Sequence, residues 1–247
     1  MDKRRTWCIA AFFLVVLLLT AVTASAQSFI APPESLPGGL SCQQWSALWW
    51  KWEWSIPFPV NPIFDTTGID CAIYQSRSGP VWFLAGSAGF DATRSCVISA
   101  GKMIFFPIIN LGNDYPCPDD QFQPGPKQSL EQFFTIGYGP YTGARQYIDH
   151  VTAISATLDG VPVQDLSLPP ETSKYRVTSS IFHFKGDPSL QVWDPCVTPM
   201  GNKAVSDGYW IMLKPLAKGP HTLTFSGTET WPSGPFTVTV TYDLTIY

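Results

Sequence analysis

Between residues 236 and 246 apolar and polar side chains alternate without interruption. Phe236, Val238, Val240, Tyr242, Leu244 and Ile246 fall on one side and Thr237, Thr239, Thr241, Asp243 and Thr245 on the other. Successive side chains of an extended strand point to opposite faces, so this period of two buries one row and leaves its partner in water. The runs 152–158 and 161–166 repeat it across Asp159-Gly160, a pair suited to a tight hairpin turn. Stretches rich in β-branched and aromatic residues at 81–85, 93–98, 102–109, 175–184, 209–213 and 221–227 bring the count to about nine strands. Proline, 23 residues of 247, is well above the usual ~5 % and suits short strands joined by rigid turns. The pattern predicts a mainly β protein, an antiparallel β-sandwich or jelly roll.

One segment breaks the pattern. Ser41, with Gln44 three residues on, has the form of a capping box, and it opens a helix over 42–55. On a helical wheel Trp45, Leu48, Trp49, Trp52 and Ile56 share one face about 100° wide, the geometry of a buried stripe. Trp50, Trp54 and Ala47 form a second, narrower strip, so the helix packs on two sides, with Trp50 and Trp54 the candidates for exposure. Prolines 57, 59 and 62 then enforce a loop. Residues 110–128 read as a long polar, Pro-rich loop, followed by short helices over 130–134 and 142–150.

The N-terminus reads as an export signal. Lys3, Arg4 and Arg5 precede an apolar run from residue 8 to 22, and Ala24-Ser25-Ala26 supplies a small-residue cleavage site before Gln27. The run is several residues short of the roughly 20 needed to span a bilayer, and no other segment spans one. The mature chain, 27–247, is expected to be secreted or periplasmic, with a possible sub-boundary near Val151. Removing Asp2, Lys3, Arg4 and Arg5 from 15 basic and 19 acidic residues leaves 12 against 18. That balance argues against nucleic acid or an anionic membrane as partner.

Five cysteines remain, and outside the cytoplasm they oxidise in pairs, leaving one over. The preferred pairs are Cys71 with Cys96, closing a loop worth roughly 3 kcal/mol in the chain-entropy model, and Cys117 with Cys196, tying two Pro-rich loops. This second bridge would cross the boundary near Val151 and favours a single domain. Cys42 is the leftover thiol.

The chemistry-bearing residues are few. Asp114, Asp119 and Asp120, with Asn110, Asn113 and Tyr115 nearby, place three carboxylates in the 110–128 loop. They are the candidate catalytic acids of a glycoside hydrolase, which needs two carboxylates flanking a sugar, or else donors to Ca2+. Ser87, in Ala85-Gly86-Ser87-Ala88-Gly89, only loosely follows a nucleophile elbow. His150, beside Asp149, His183 and His221 share no zinc-type spacing, so no metal site is assigned. Exposed tryptophans serve as platforms for sugar rings, which makes Trp50, Trp54 and Trp231, together with Tyr115, the candidate ligand-binding residues.

The stretches Ser78-Gly79-Pro80-Val81-Trp82-Phe83-Leu84-Ala85-Gly86, Arg94-Ser95-Cys96 through Gly101-Lys102 to Phe106-Pro107-Ile108-Ile109-Asn110, and Asp207-Gly208-Tyr209-Trp210 through Gly219-Pro220-His221-Thr222-Leu223 resemble a family of exported, mostly bacterial proteins of unknown function. The resemblance covers most of the mature chain and implies no activity and no site residue. Asp207-Gly208-Tyr209 also resembles the tyrosine corner of immunoglobulin-like sandwiches, without the cysteine two residues on. The expected function is a non-enzymatic module that binds a glycan or a cell-surface partner, with no cofactor; the alternative is a secreted hydrolase using the 110–128 carboxylates.

Overall fold

The computed structural model describes residues 29–139, 142–166 and 172–247. The predicted export signal and its cleavage site lie outside the described residues. Two long antiparallel strands, β3 (Met103–Tyr115) and β8 (Asn202–Leu213), form the middle of the first sheet. β1 (Val81–Phe83) runs parallel along the free side of β3, while β6 (Arg176–Thr178) and β7 (Phe182–Phe184) share the far side of β8. The second sheet has the order β2 (Ala92–Ile98), β10 (Gly234–Ile246), β9 (Gly219–Trp231), β4 (Val151–Leu158), β5 (Val161–Pro162). The sandwich is therefore mainly antiparallel, corrected at two places, where β1 joins β3 and β2 joins β10 in parallel.

β3 and β8 are apolar on both faces because the first sheet is covered on both. Toward the second sheet, Ile104, Phe106, Tyr209 and Ile211 meet Phe225, Val240, Tyr242 and Leu244, with Phe106 and Phe225 4.8 Å apart. On the other face Phe105 and Trp210 stack 5.1 Å apart at 3° and lie under the helix α1 (Cys42–Trp54). Trp49 crosses Trp210 edge-to-face at 5.5 Å, and its indole N–H donates to the Leu84 carbonyl at 2.8 Å. The Ser41–Gln44 capping box forms as expected and fixes where α1 begins. The order of layers is helix, sheet, sheet. Removing a buried tryptophan ring of roughly 200 Å² from water stabilises by about 5 kcal/mol in area terms, so this helix is held chiefly by its rings.

Several expectations change. Trp50 and Trp54 are not exposed: they are 7 % and 2 % accessible, pressed against β3 and β7. Trp54 lies 4.2 Å from Phe184, and Gly112 leaves the space both rings fill, since a Cβ there would stand 2.8 Å from Trp54 and 3.1 Å from Trp50. The 110–128 loop starts late, because residues 110–115 continue β3, paired one by one with residues 203–208 of β8. Asn110, Gly112 and Asn113 look like turn residues, and a long-range ladder overrides them. The single strand expected at 175–184 is two, β6 and β7. The second sheet retains the alternation at 236–246 only in part: Val240, Tyr242, Leu244 and Ile246 face the core, while Phe236, at the far end of β10, is 47 % exposed.

Both disulfides form as expected, Cys71–Cys96 and Cys117–Cys196, and Cys42 is a buried free thiol. Burial, and secondarily the charge of Glu34, push that thiol up to about 11, so it stays protonated and unreactive. Val151 begins β4, which lies in the sheet that also holds β2. Among the described residues no helix is long and apolar enough to cross a membrane.

Candidate functional site

Beyond the bulge at Pro107/Ile109, β3 carries Leu111, Gly112, Asn113 and Asp114 to the edge of a cleft of about 250 Å³. Phe122 and Tyr138 come from the segments on either side of α2 (Leu130–Ile136), Tyr147 from α3 (Ala144–Ile148), and Asp194 with Cys196 from the loop after β7. α2 is placed by its own capping box at Ser129 and Gln132 and by burial of Phe133 and Phe134 against Val205 of β8. The Cys117–Cys196 bridge fastens the Asp194 loop to the end of β3.

Two carboxyl groups converge here. Oxygens of Asp114 and Asp194 and the Cys196 sulfur all lie within 4.8 Å of one another. Asp114 is 5 % exposed and accepts from Asn202 Nδ2 at 2.6 Å, and the same amide holds the Cys196 carbonyl at 2.6 Å. Burial, then the charge of Asp194, push Asp114 up to about 7, with the Asn202 bond opposing. Asp194 accepts from the Cys196 amide at 2.9 Å and is also pushed up, chiefly by burial. A third acid, Glu53 of α1, has no exposed surface; burial takes it up to about 8, Asn61 opposes this, and the charge of Asp194 adds to it.

The Cys196 sulfur is committed to the disulfide and is no thiolate donor. Two carboxyl groups fall far short of the six to eight oxygens of a calcium site.

The walls are aromatic. Phe122 and Tyr138 meet edge-to-face at 5.1 Å, and Tyr138 is 41 % exposed. Burial and the charges of Asp194 and Asp119 raise the Tyr138 hydroxyl above the usual tyrosine value. Tyr147 donates to Glu229 Oε2 at 2.8 Å, which also accepts from the Trp231 indole at 3.0 Å. The rings of Tyr147 and Trp231 are 5.1 Å apart, and His150 stacks on Trp231 at 4.9 Å. Tyr147 thus joins the cleft to a second aromatic patch.

Of the acids expected from sequence, Asp114 lines the cleft. Asp119 instead accepts from the Gln121 amide at 2.9 Å, and Asp120 points to solvent; neither lines it. Trp231 is half-buried beside the cleft, Tyr115 turns to Phe133 at 5.9 Å, and Trp50 and Trp54 belong to the core. Ser87 spends its hydroxyl on its own turn, donating to the Phe90 carbonyl and accepting from the Phe90 amide. His183 is exposed on β7, and His221 Nδ1 pairs with Asp159 at 2.7 Å. Asp149 pairs with Arg176 at 2.7 Å. Asp207-Gly208-Tyr209 lies in the middle of β8, where Asp207 is buried and bound by Arg176 and Thr178.

Sequence reasoning missed Asp194, Phe122, Tyr138, Tyr147 and Glu53. One signal was present for Asp194: it stands two residues before Cys196, whose bridge partner stands three after Asp114.

No protein-family model and no curated protein matches the chain. Two solved structures show a distant likeness. PbICP-C in complex with falcipain-2 is 10 % identical over 68 % of this chain and all of that one, at a TM-score of 0.22. The cysteine protease inhibitor EhICP2 from Entamoeba histolytica is 13 % identical over 65 % of this chain and 95 % of that one, at 0.18. At those scores the likeness carries no argument about this chain.

Proposed function

We propose that this protein works outside the cytoplasm as a carbohydrate-binding module and that its site is the cleft beside the Cys117–Cys196 bridge. The observation that carries the reading is the pairing of aromatic walls, Phe122, Tyr138 and Tyr147, with carboxyl groups at Asp114 and Asp194. Sugar rings present apolar C–H faces that stack on aromatic rings and hydroxyls that bond carboxyl oxygens. Two disulfides support an oxidising compartment. Calorimetric titration against a glycan panel tests the reading: saturable binding is expected, with loss of at least about tenfold in affinity in Tyr138→Ala. Absence of binding across the panel, or binding undiminished in that variant, refutes it.

A second reading, hydrolysis, is favoured by one observation. Asp114 and Asp194 approach within 4.8 Å, near the roughly 5–5.5 Å between the two carboxyl groups of a retaining glycosidase. On this reading the pair is Asp114 with Asp194, and Asp119 and Asp120 play no part. Release of reducing sugar that disappears in Asp194→Asn while binding persists would establish it; a glycan bound without turnover would eliminate it.

A further inference from the structure

The cleft holds two carboxyl groups, Asp114 and Asp194, with no cationic partner among the described residues. The ion pairs among the described residues are Lys174–Asp165, Arg176–Asp149, Arg176–Asp207 and His221–Asp159. None includes Asp114 or Asp194, and among the described residues no lysine, arginine or histidine lines the cleft. Asp114 is nearly inaccessible and lines the cleft with two neutral donors, the Asn202 side chain and its own backbone N–H, and no cation. Two buried acids elsewhere in this fold have two side-chain donors each: Asp207 has Arg176 at 2.9 Å and Thr178 at 2.7 Å, and Glu229 has Tyr147 at 2.8 Å and Trp231 at 3.0 Å. A buried carboxylate without a counter-charge is costly to maintain. A cation placed between Asp114 and Asp194, whose oxygens lie within 4.8 Å of each other, would let both carboxyl groups ionise.

The walls decide which kind of cation. A hard divalent ion would want a shell of six to eight oxygens, and three of the lining side chains are aromatic rings. Ring faces attract organic ammonium groups, and carboxylates beside them complete a box of the kind that binds protonated or quaternary amines. The volume sets the size. About 250 Å³ corresponds to roughly eight waters at the density of the liquid, room for one compact ring. We propose that the cleft recognises a protonated amine, an amino sugar in place of a neutral one, with the ammonium group between Asp114 and Asp194 and the ring against Tyr138 and Phe122.

This inference rests on the cleft being the sugar site and adds the charge of its ligand. The experiment separates the two. Calorimetry at pH 7 compares glucosamine, glucose and N-acetylglucosamine, which share a ring and differ in whether an ammonium is present. Glucosamine is expected to bind at least about tenfold more tightly than the other two. Asp194→Asn, judged folded by its melting curve, should narrow that preference to about twofold or less, glucosamine losing more affinity than glucose; a preference that stays tenfold overturns the amine. Equal binding of the three sugars overturns the amine and leaves the sugar site standing. Displacement of glucosamine by millimolar calcium, in excess of matched potassium chloride, overturns the amine in favour of a hard-cation site. Binding of none of the three removes both the site and the inference.

Discussion

Glu53 offers the sharpest measurement on this fold. It sits on α1 with no exposed surface, one carboxyl oxygen accepting from Asn61 Nδ2 at 3.0 Å and the other without a partner. Burial raises its pKa from 4.5 to about 8, against the Asn61 bond and with some help from the charge of Asp194. Between those two values the folded chain keeps a proton that the unfolded chain has released, so stability falls as pH rises. It is highest below pH 4.5 and reaches its floor above pH 8. At about 1.4 kcal/mol per pH unit of separation the loss approaches about 5 kcal/mol, a large share of a domain's usual 5–15 kcal/mol. Glu53→Gln keeps the shape and the Asn61 contact and cannot ionise. Any cost of burying its amide is the same at every pH. Urea unfolding followed by tryptophan fluorescence from pH 5 to 9 should show the Gln chain gaining several kcal/mol on the wild type between pH 5 and 8. Asp114, pushed up to about 7, titrates in both chains, so its contribution largely cancels in the difference. A difference that stays flat within about 0.5 kcal/mol across the range refutes a neutral, buried Glu53.

Gly112→Ala should cost about 1–3 kcal/mol, read as a lowered melting temperature, because its Cβ would stand 2.8 Å from the Trp54 ring. Arg176→Ala strands the buried Asp207 carboxylate and should destabilise by about 3–5 kcal/mol by urea titration, while Asp207→Asn combined with it restores part of the loss. Replacing Cys117 and Cys196 together by alanine removes a bridge across 79 residues, worth about 4.5 kcal/mol in the chain-entropy model. It should also abolish sugar binding by freeing the Asp194 loop. The matching change at Cys71 and Cys96 should cost about 3 kcal/mol and leave binding intact, since that bridge lies away from the cleft.

What the sequence disclosed, and what it hid, follows from the range of the interactions involved. The Ser41–Gln44 cap, the Asp159-Gly160 turn and the alternation over 240–246 are local, and each formed where its residues stood, while Phe236 at the far end of the same run stays exposed. The exposure expected of Trp50 and Trp54 failed because a helical wheel shows that a second strip exists and not whether another element covers it. Here β3 and β7 do, through Gly112 and Phe184. Residues 110–115 were misread for the same reason: Asn, Gly and Asp disfavour a strand locally, and only the ladder to β8, ninety residues on, holds them in one. The site depends on such distant contacts almost entirely, its five aromatic and acidic side chains, Asp114, Phe122, Tyr138, Tyr147 and Asp194, being spread over eighty residues of the chain. Yet the cysteine pairing, inferred from loop composition, already contained part of the constraint. A Cys117–Cys196 bridge brings the segments around both cysteines into one neighbourhood, and the residue three before one and the residue two before the other are aspartates whose oxygens lie within 4.8 Å of each other. Asp119 and Asp120 stand as near Cys117 in sequence as Asp114 does, so what selects Asp114 is the long-range ladder of β3 to β8, which sets it beside Asn202, the amide that also holds the Cys196 carbonyl.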